Sequence, residues 1–122
     1  MLTALMIIVD EDFGTPVYAD PAPEDLEPEF WDRIREVVVE AYEGDRKPAG
    51  AEEIGTQVLA WKLFQRNGLS FIAMAEDVSS SEVQAYIRDL SSIYFDEVDD
   101  VRRPERDGVA DVVVEVIPPW EE

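Results

Sequence analysis

Apolar positions dominate two neighbouring stretches near the middle of the chain. Residues 57–64 (Gln-Val-Leu-Ala-Trp-Lys-Leu-Phe) and 69–75 (Leu-Ser-Phe-Ile-Ala-Met-Ala) are apolar runs of strand length, joined across Gln65-Arg66-Asn67-Gly68. Asn-Gly between two such runs predicts a hairpin, because both residues accept the positive φ that tight turns require. Both runs are apolar on both faces except at Lys62 and Ser70, so each belongs inside a sheet with a layer on either side. The next segment supplies one of those layers. Ser79 and Glu82 have the spacing of a capping box, and Val83, Tyr86, Ile87, Leu90, Ile93 and Tyr94 recur at helical intervals.

The same reading extends outward from this core. Residues 2–9 form a short, β-branched apolar run, long enough for a buried strand. Asp10-Glu11-Asp12-Phe13-Gly14 then reads as a turn and residues 15–19 as a returning strand, which Pro16 confines to a sheet edge. Residues 20–28 are rich in proline and acids and read as an extended connector, with Leu26 free to tuck against the domain. Residues 29–43 predict a helix: Pro28 precedes it, Glu29 and Asp32 suit the positive end of its dipole, and Gly44 stops it. Its buried stripe is Phe30, Ile34, Val37, Val38 and Ala41. Arg33, Arg35, Glu36, Glu40 and Glu43 face water, with Trp31 and Tyr42 on the flanks. Residues 45–53 read as a polar loop broken by Pro48 and Gly50.

Beyond the second helix the chain is acidic at Asp96, Glu97, Asp99 and Asp100, then basic at Arg102, Arg103 and Arg106, and the two blocks are expected to pair locally. Val112, Val113, Val114, Val116 and Ile117 favour a strand over 109–117 by propensity, although Val109, Val112, Val113 and Val116 also fit one helical face. We read a strand. Pro118-Pro119 ends it and leaves Trp120 in a short tail over 118–122. The expected fold is one α+β domain over residues 1–122. It has a mainly antiparallel sheet of about five strands and two helices in the order ββαββαβ.

That order resembles the longin domain, the fold of small adaptor-complex subunits, some SNARE amino termini and tethering-complex subunits. The resemblance is carried by the opening strand and acid-glycine turn (residues 4–14), by Gly68-Leu69-Ser70-Phe71 leading to Glu76-Asp77-Val78, and by the helix with Tyr86, Ile87 and Leu90 ending near Phe95. It runs to about residue 98. Longin domains usually close with a helix, where this chain reads as a strand at 109–117; with that strand the chain also resembles a ferredoxin-type βαββαβ unit with an added edge. The longin resemblance implies a non-catalytic module that pairs through a helix or sheet edge and serves as a platform for a Ras-like small GTPase or a trafficking partner. It brings no catalytic residues with it.

Charge and chemistry narrow the function further. The formal net charge is −19, from 29 acidic against 10 basic residues. Such a field repels nucleic acid and anionic membranes and steers basic partners inward, although a solvated surface suited to a salt-tolerant or GC-rich host accounts for the same charge and is the favoured reading. With no His and no Cys, neither a Ser-His-Asp nor a Cys-His centre can form, and zinc loses its usual ligands. No Gly-rich phosphate loop is present. Asp10, Glu11 and Asp12 end a buried strand, where a carboxylate cluster can bind Ca²⁺ or Mg²⁺ or supply an acid-base pair, but the remaining ligands of an EF-hand loop are missing and a solvated turn is the favoured reading; Asp12-Phe13-Gly14 lacks every companion of the kinase metal motif. No catalytic residue, cofactor or metal site is therefore expected.

The candidate partner-binding residues are Trp120, Trp31, Asp96, Glu97, Asp99 and Asp100. Trp120 has no evident core to join and either folds back over the domain or anchors a partner. The expected protein is cytoplasmic, since no basic-flanked leader or membrane-length apolar run occurs. Its expected role is a non-enzymatic scaffold, as a homodimer or a small subunit that engages a GTPase. The alternative is an acidic inhibitor or immunity protein that covers a basic toxin, nuclease or effector, without direct nucleic-acid binding.

Overall fold

The computed structural model describes residues 1–10, 12 and 16–121. Five strands and three helices follow in the order β1 (Leu2–Val9), β2 (Tyr18–Asp20), α1 (Pro28–Glu43), β3 (Ala49–Ile54), β4 (Gln57–Phe64), β5 (Leu69–Glu76), α2 (Ser80–Glu97) and α3 (Arg106–Glu115). The strands form one antiparallel sheet in the spatial order β2-β1-β5-β4-β3. A five-stranded antiparallel α+β fold is as the sequence predicts.

The two apolar runs lie inside the sheet, β5 between β1 and β4, and β4 between β5 and β3. Because side chains alternate across a strand, each central strand feeds two cores. On one face Leu5, Ile7, Val58, Ala60, Phe71 and Ala73 meet Val83, Tyr86, Leu90 and Tyr94 of α2 and Val109 and Val112 of α3. On the other, Met6, Ile8, Leu59, Trp61, Ile72 and Met74 meet Ile34, Val37 and Val38 of α1. The α1 stripe follows the predicted positions, and Leu26 packs beside it. The Ser79–Glu82 capping box forms in full at the start of α2.

Four local readings are corrected. The β4–β5 hairpin forms across residues 65–68 as expected, with Phe64 opposite Leu69, but its turn chemistry differs. Gly68 alone takes a positive φ of 64°, so the glycine, and not the Asn-Gly pair, closes the turn. Residues 49–54 form strand β3 and not a loop: Ile54 pairs with Gln57 across Gly55-Thr56, where Gly55 has φ 60°. Glycine at the first central position is the pattern of a two-residue primed hairpin turn. The returning strand at 15–19 is shorter than expected, spanning Tyr18–Asp20, and residues 23–25 of the connector make one 3-10 turn. Glu11, Phe13, Gly14 and Thr15 of the expected turn and strand start lie outside the described residues.

The closing segment at 109–117 is helix α3 followed by Val116, so there are three helices, and the ferredoxin-type alternative lacks its last strand. Propensity loses here to packing. Val109, Val112 and Val116 recur at helical spacing and are buried against the α2 layer, while Val114 is 81% exposed. A strand would have divided these valines between two faces.

Candidate functional site

The acidic residues singled out in the sequence sit together. Asp96 and Glu97 end α2, and Asp99 and Asp100 begin the loop to α3, all four exposed. Glu97, Asp99 and Asp100 line an open cleft of ≈ 540 Å³ with Glu105 and Asp111 of the loop and α3, against one cation, Arg103. The charge is poorly compensated. The last turn of α2 has no basic residue to answer its carbonyl end. The Glu97 carboxyl is pushed above its ordinary value chiefly by the hydrogen bond its protonated form donates to the Glu115 carboxylate, and further by the negative charges of Glu115 and Asp96. Arg102 does not pair locally as expected: it reaches across the loop to Asp10, which has a positive φ of 51° beside Gly68. Arg103 meets the acidic run through its backbone, donating its N–H to Asp100 Oδ1 at 3.1 Å. Among the described residues no group of three or more potential ligands is arranged to hold a metal ion.

The two tryptophans are not brought together. Trp31 packs against the α1 core on one side of the sheet. Trp120 lies on the other side, in a 3-10 turn after Pro118, and its ring stands edge-on to Tyr86 at 5.7 Å. The tail therefore folds back over the domain. Its indole Nε1 is shielded from solvent and meets no acceptor among the described residues. Burial, then the charges of Tyr18 and Glu121, pushes the Tyr86 hydroxyl beneath it up to about 12.

Sequence reasoning missed the exposed edge of the sheet. The opposite edge is blunted: β2 has three residues, with Pro16 before it and Pro21 directly after. β3 has six residues and no proline. Its polarity follows from one bond. Leu63 donates its N–H to the Pro48 carbonyl at 2.6 Å, so 48 and 63 are a hydrogen-bonded pair, and Gly50, Glu52 and Ile54 turn their main-chain groups toward β4 in the same phase. The N–H and C=O groups of Ala49, Ala51 and Glu53 consequently point away from the sheet. No hydrogen bond within the described residues engages them.

Side chains shape the two flanks of this edge. On the α1 side Glu52 accepts from Arg33 Nε at 2.6 Å and Arg33 Nη2 at 2.8 Å, with Arg46 Nη1 3.6 Å away. The Arg33 hydrogen bonds, outweighing burial, hold the Glu52 carboxyl below its usual range. Arg33 and Glu40, expected to face water, belong to this network, since Glu40 pairs with Arg46. Trp61 lies beneath, donating Nε1–H to the Lys47 carbonyl at 3.0 Å with Arg46 over its ring. On the α2 side a groove of ≈ 300 Å³ runs between the edge and the helix, lined in part by Ala49, Lys62, Gln84, Ala85 and Arg88. No carboxylate lines it, although the chain holds 29 acids. Gly55 before Thr56 was the one sequence signal for this hairpin; the alanines and glutamates of β3 have no strand propensity of their own.

No protein-family model matches this chain, and no curated protein matches its sequence. Among the described residues, no helix is long and apolar enough to cross a membrane.

Proposed function

We propose that this chain is a non-enzymatic protein–protein interaction module that docks through the open β3 edge. The observation that carries the proposal is the row of unengaged main-chain groups at Ala49, Ala51 and Glu53, on a six-residue edge strand where β2 has only three residues. An exposed edge of this kind binds by adding a strand, with main-chain hydrogen bonds supplying affinity and flanking side chains supplying specificity. The order ββαβββαα, closing on helices, supports the longin-like reading, and with it a role as a platform for a Ras-like small GTPase or as a subunit of a larger complex. The absence of His and Cys from the chain agrees with a role outside catalysis. A cytoplasmic setting belongs to the same proposal.

One observation favours a second reading, an acidic inhibitor of a basic toxin, nuclease or effector. The cleft around Glu97, Asp99, Asp100 and Asp111 concentrates charge that only Arg103 offsets, and such a surface steers cationic partners.

Capture of partners from the native cell extract separates the two readings, using the wild type, Ala51→Pro and a joint Asp99→Asn, Asp100→Asn variant at low and high salt. Proline at 51 removes an outward N–H and leaves the β3–β4 ladder intact. A partner kept at high salt and lost with Ala51→Pro supports the edge reading. One that washes off with salt and with the Asn variant, but is held by Ala51→Pro, replaces it with the inhibitor.

A further inference from the structure

We infer that the partner for the β3 edge is a second copy of this chain, added antiparallel about a two-fold axis at Ala51. This rests on the edge-docking reading above and names its occupant. Two features of the edge select both the partner and the register.

The first is the phase of the main chain. A strand added to β3 must set outward-pointing residues opposite outward-pointing residues. For a second copy, the register that places Ala51 opposite the partner's Ala51 also sets Ala49 opposite the partner's Glu53 and Glu53 opposite the partner's Ala49. Every free main-chain group of β3 is then paired. Sliding in either direction by the next permitted step leaves one end of the strand unmatched. Sliding toward the C-terminal end also sets Glu52, and one step further Glu53, against its own copy, which like-charge repulsion disfavours.

The second is charge. Glu53 lies opposite Val58 and Ala49 opposite Lys62 in the β3–β4 ladder, so Glu53, Ala49 and Lys62 all face α2. In the Ala51-centred register the partner's Glu53 stands beside Ala49, with Lys62 one strand beyond. The two are separated by two strand spacings, roughly 10 Å at the backbone, with only the methyl group of Ala49 between them. The Lys62 ammonium already lies along this face, 5.1 Å from the Phe64 ring centre, and Arg88 of α2 lines the same groove. Glutamate and lysine side chains span that gap, and the two-fold axis makes the pair twice. On the other face the partner's Glu52 comes opposite Gly50, which has no side chain to obstruct it, while Arg33 of its own copy continues to neutralise it.

The acidity of the chain sets the sign of the salt response. Each copy carries −19, so at low ionic strength the long-range field opposes association, and screening over about 10 Å at 0.1 M salt relieves it. Self-association therefore tightens as salt rises to a few hundred millimolar, the opposite of what a basic partner would show.

The register is read with single cysteines, since the chain has none of its own. Mixing Ala49→Cys with Glu53→Cys protein under mild oxidation is expected to give the mixed disulfide-linked dimer in excess over either self-linked product, because 49 meets 53 across the axis and not its own copy. By sedimentation equilibrium, Lys62→Glu and Glu53→Lys should each weaken the dimer by about tenfold, and the double variant should restore it. A chain that stays monomeric to near-millimolar concentration at 0.3 M salt overturns the inference. So does a dimer whose 49–53 cysteine pair fails to link, or one indifferent to both charge reversals. If the wild type is monomeric while Ala51→Pro still loses a captured partner, the second copy is excluded and the edge-docking reading stands. If Ala51→Pro loses nothing, both go.

Discussion

Gly50 is the position where the exposed edge and the core make conflicting demands, and replacing it with alanine tests that directly. A Cβ built there falls 2.9 Å from Trp61 Cζ2 and 3.3 Å from Cη2. These are ring atoms of a side chain only 6% exposed, held by the bond from Nε1 to the Lys47 carbonyl and by Arg46 over its face. The ring cannot swing aside without breaking that bond, so β3 must lift from β4 or the core must shift. Overpacking of this kind costs ~1–3 kcal/mol, offset by about 0.4–1 kcal/mol from the lower chain entropy of alanine in the unfolded state. A net loss of about 1–2 kcal/mol is expected, or roughly 3–10 °C in Tm for a chain of this size. Urea titration should show a lower midpoint with an unchanged slope, accompanied by a change in the near-ultraviolet signal of Trp61. The cause is isolated by a cycle with Trp61→Phe, which empties the space above Gly50. In that background Gly50→Ala should be neutral or stabilising, giving a coupling of about 1–2 kcal/mol. Equal destabilisation in both backgrounds would refute the contact as the cause.

Two further expectations concern the tail and the ion-pair network. Trp120→Ala should cost ~1–3 kcal/mol by thermal melt, because it removes the contact with Tyr86. Trp120→Phe should fall within about 0.5 kcal/mol of wild type, since the indole N–H it deletes meets no acceptor among the described residues. If both substitutions were silent, the tail would not be packed on the domain. Glu52 is titrated lower in the folded chain than in the unfolded one. Its contribution is therefore complete above the ordinary carboxylate range and is lost as pH falls through its depressed folded value. The advantage of wild type over Glu52→Gln should be ~0.5–1 kcal/mol near neutrality, given its partial exposure, and shrink toward zero on acidification. An advantage that grew as pH fell would contradict the sign. The raised Glu97 acts in the opposite direction, which is why the comparison is made within one pair of variants.

The chain by itself determined the parts whose signals are local or periodic. The apolar runs of β1, β4 and β5 admit no exposed face, the α1 and α2 stripes repeat at helical spacing, and the Ser79–Glu82 box marks a helix start from side chains three residues apart. Tertiary structure decided the elements whose local preference is weak or misleading. β3 is a strand because β4 offers it a ladder, Trp61 accepts a glycine beneath it, and Arg33 and Arg46 neutralise Glu52. α3 is a helix because its valines bury on α2 at helical spacing, against their strand propensity. The pairing of Arg102 with Asp10, 92 residues apart, and the return of Trp120 onto Tyr86 join segments that no local pattern links. The candidate site divides in the same way. The acids at 96–100 could be read as a run of charge, whereas the outward groups of Ala49, Ala51 and Glu53 acquire a direction only once β4 fixes which side of the strand is paired.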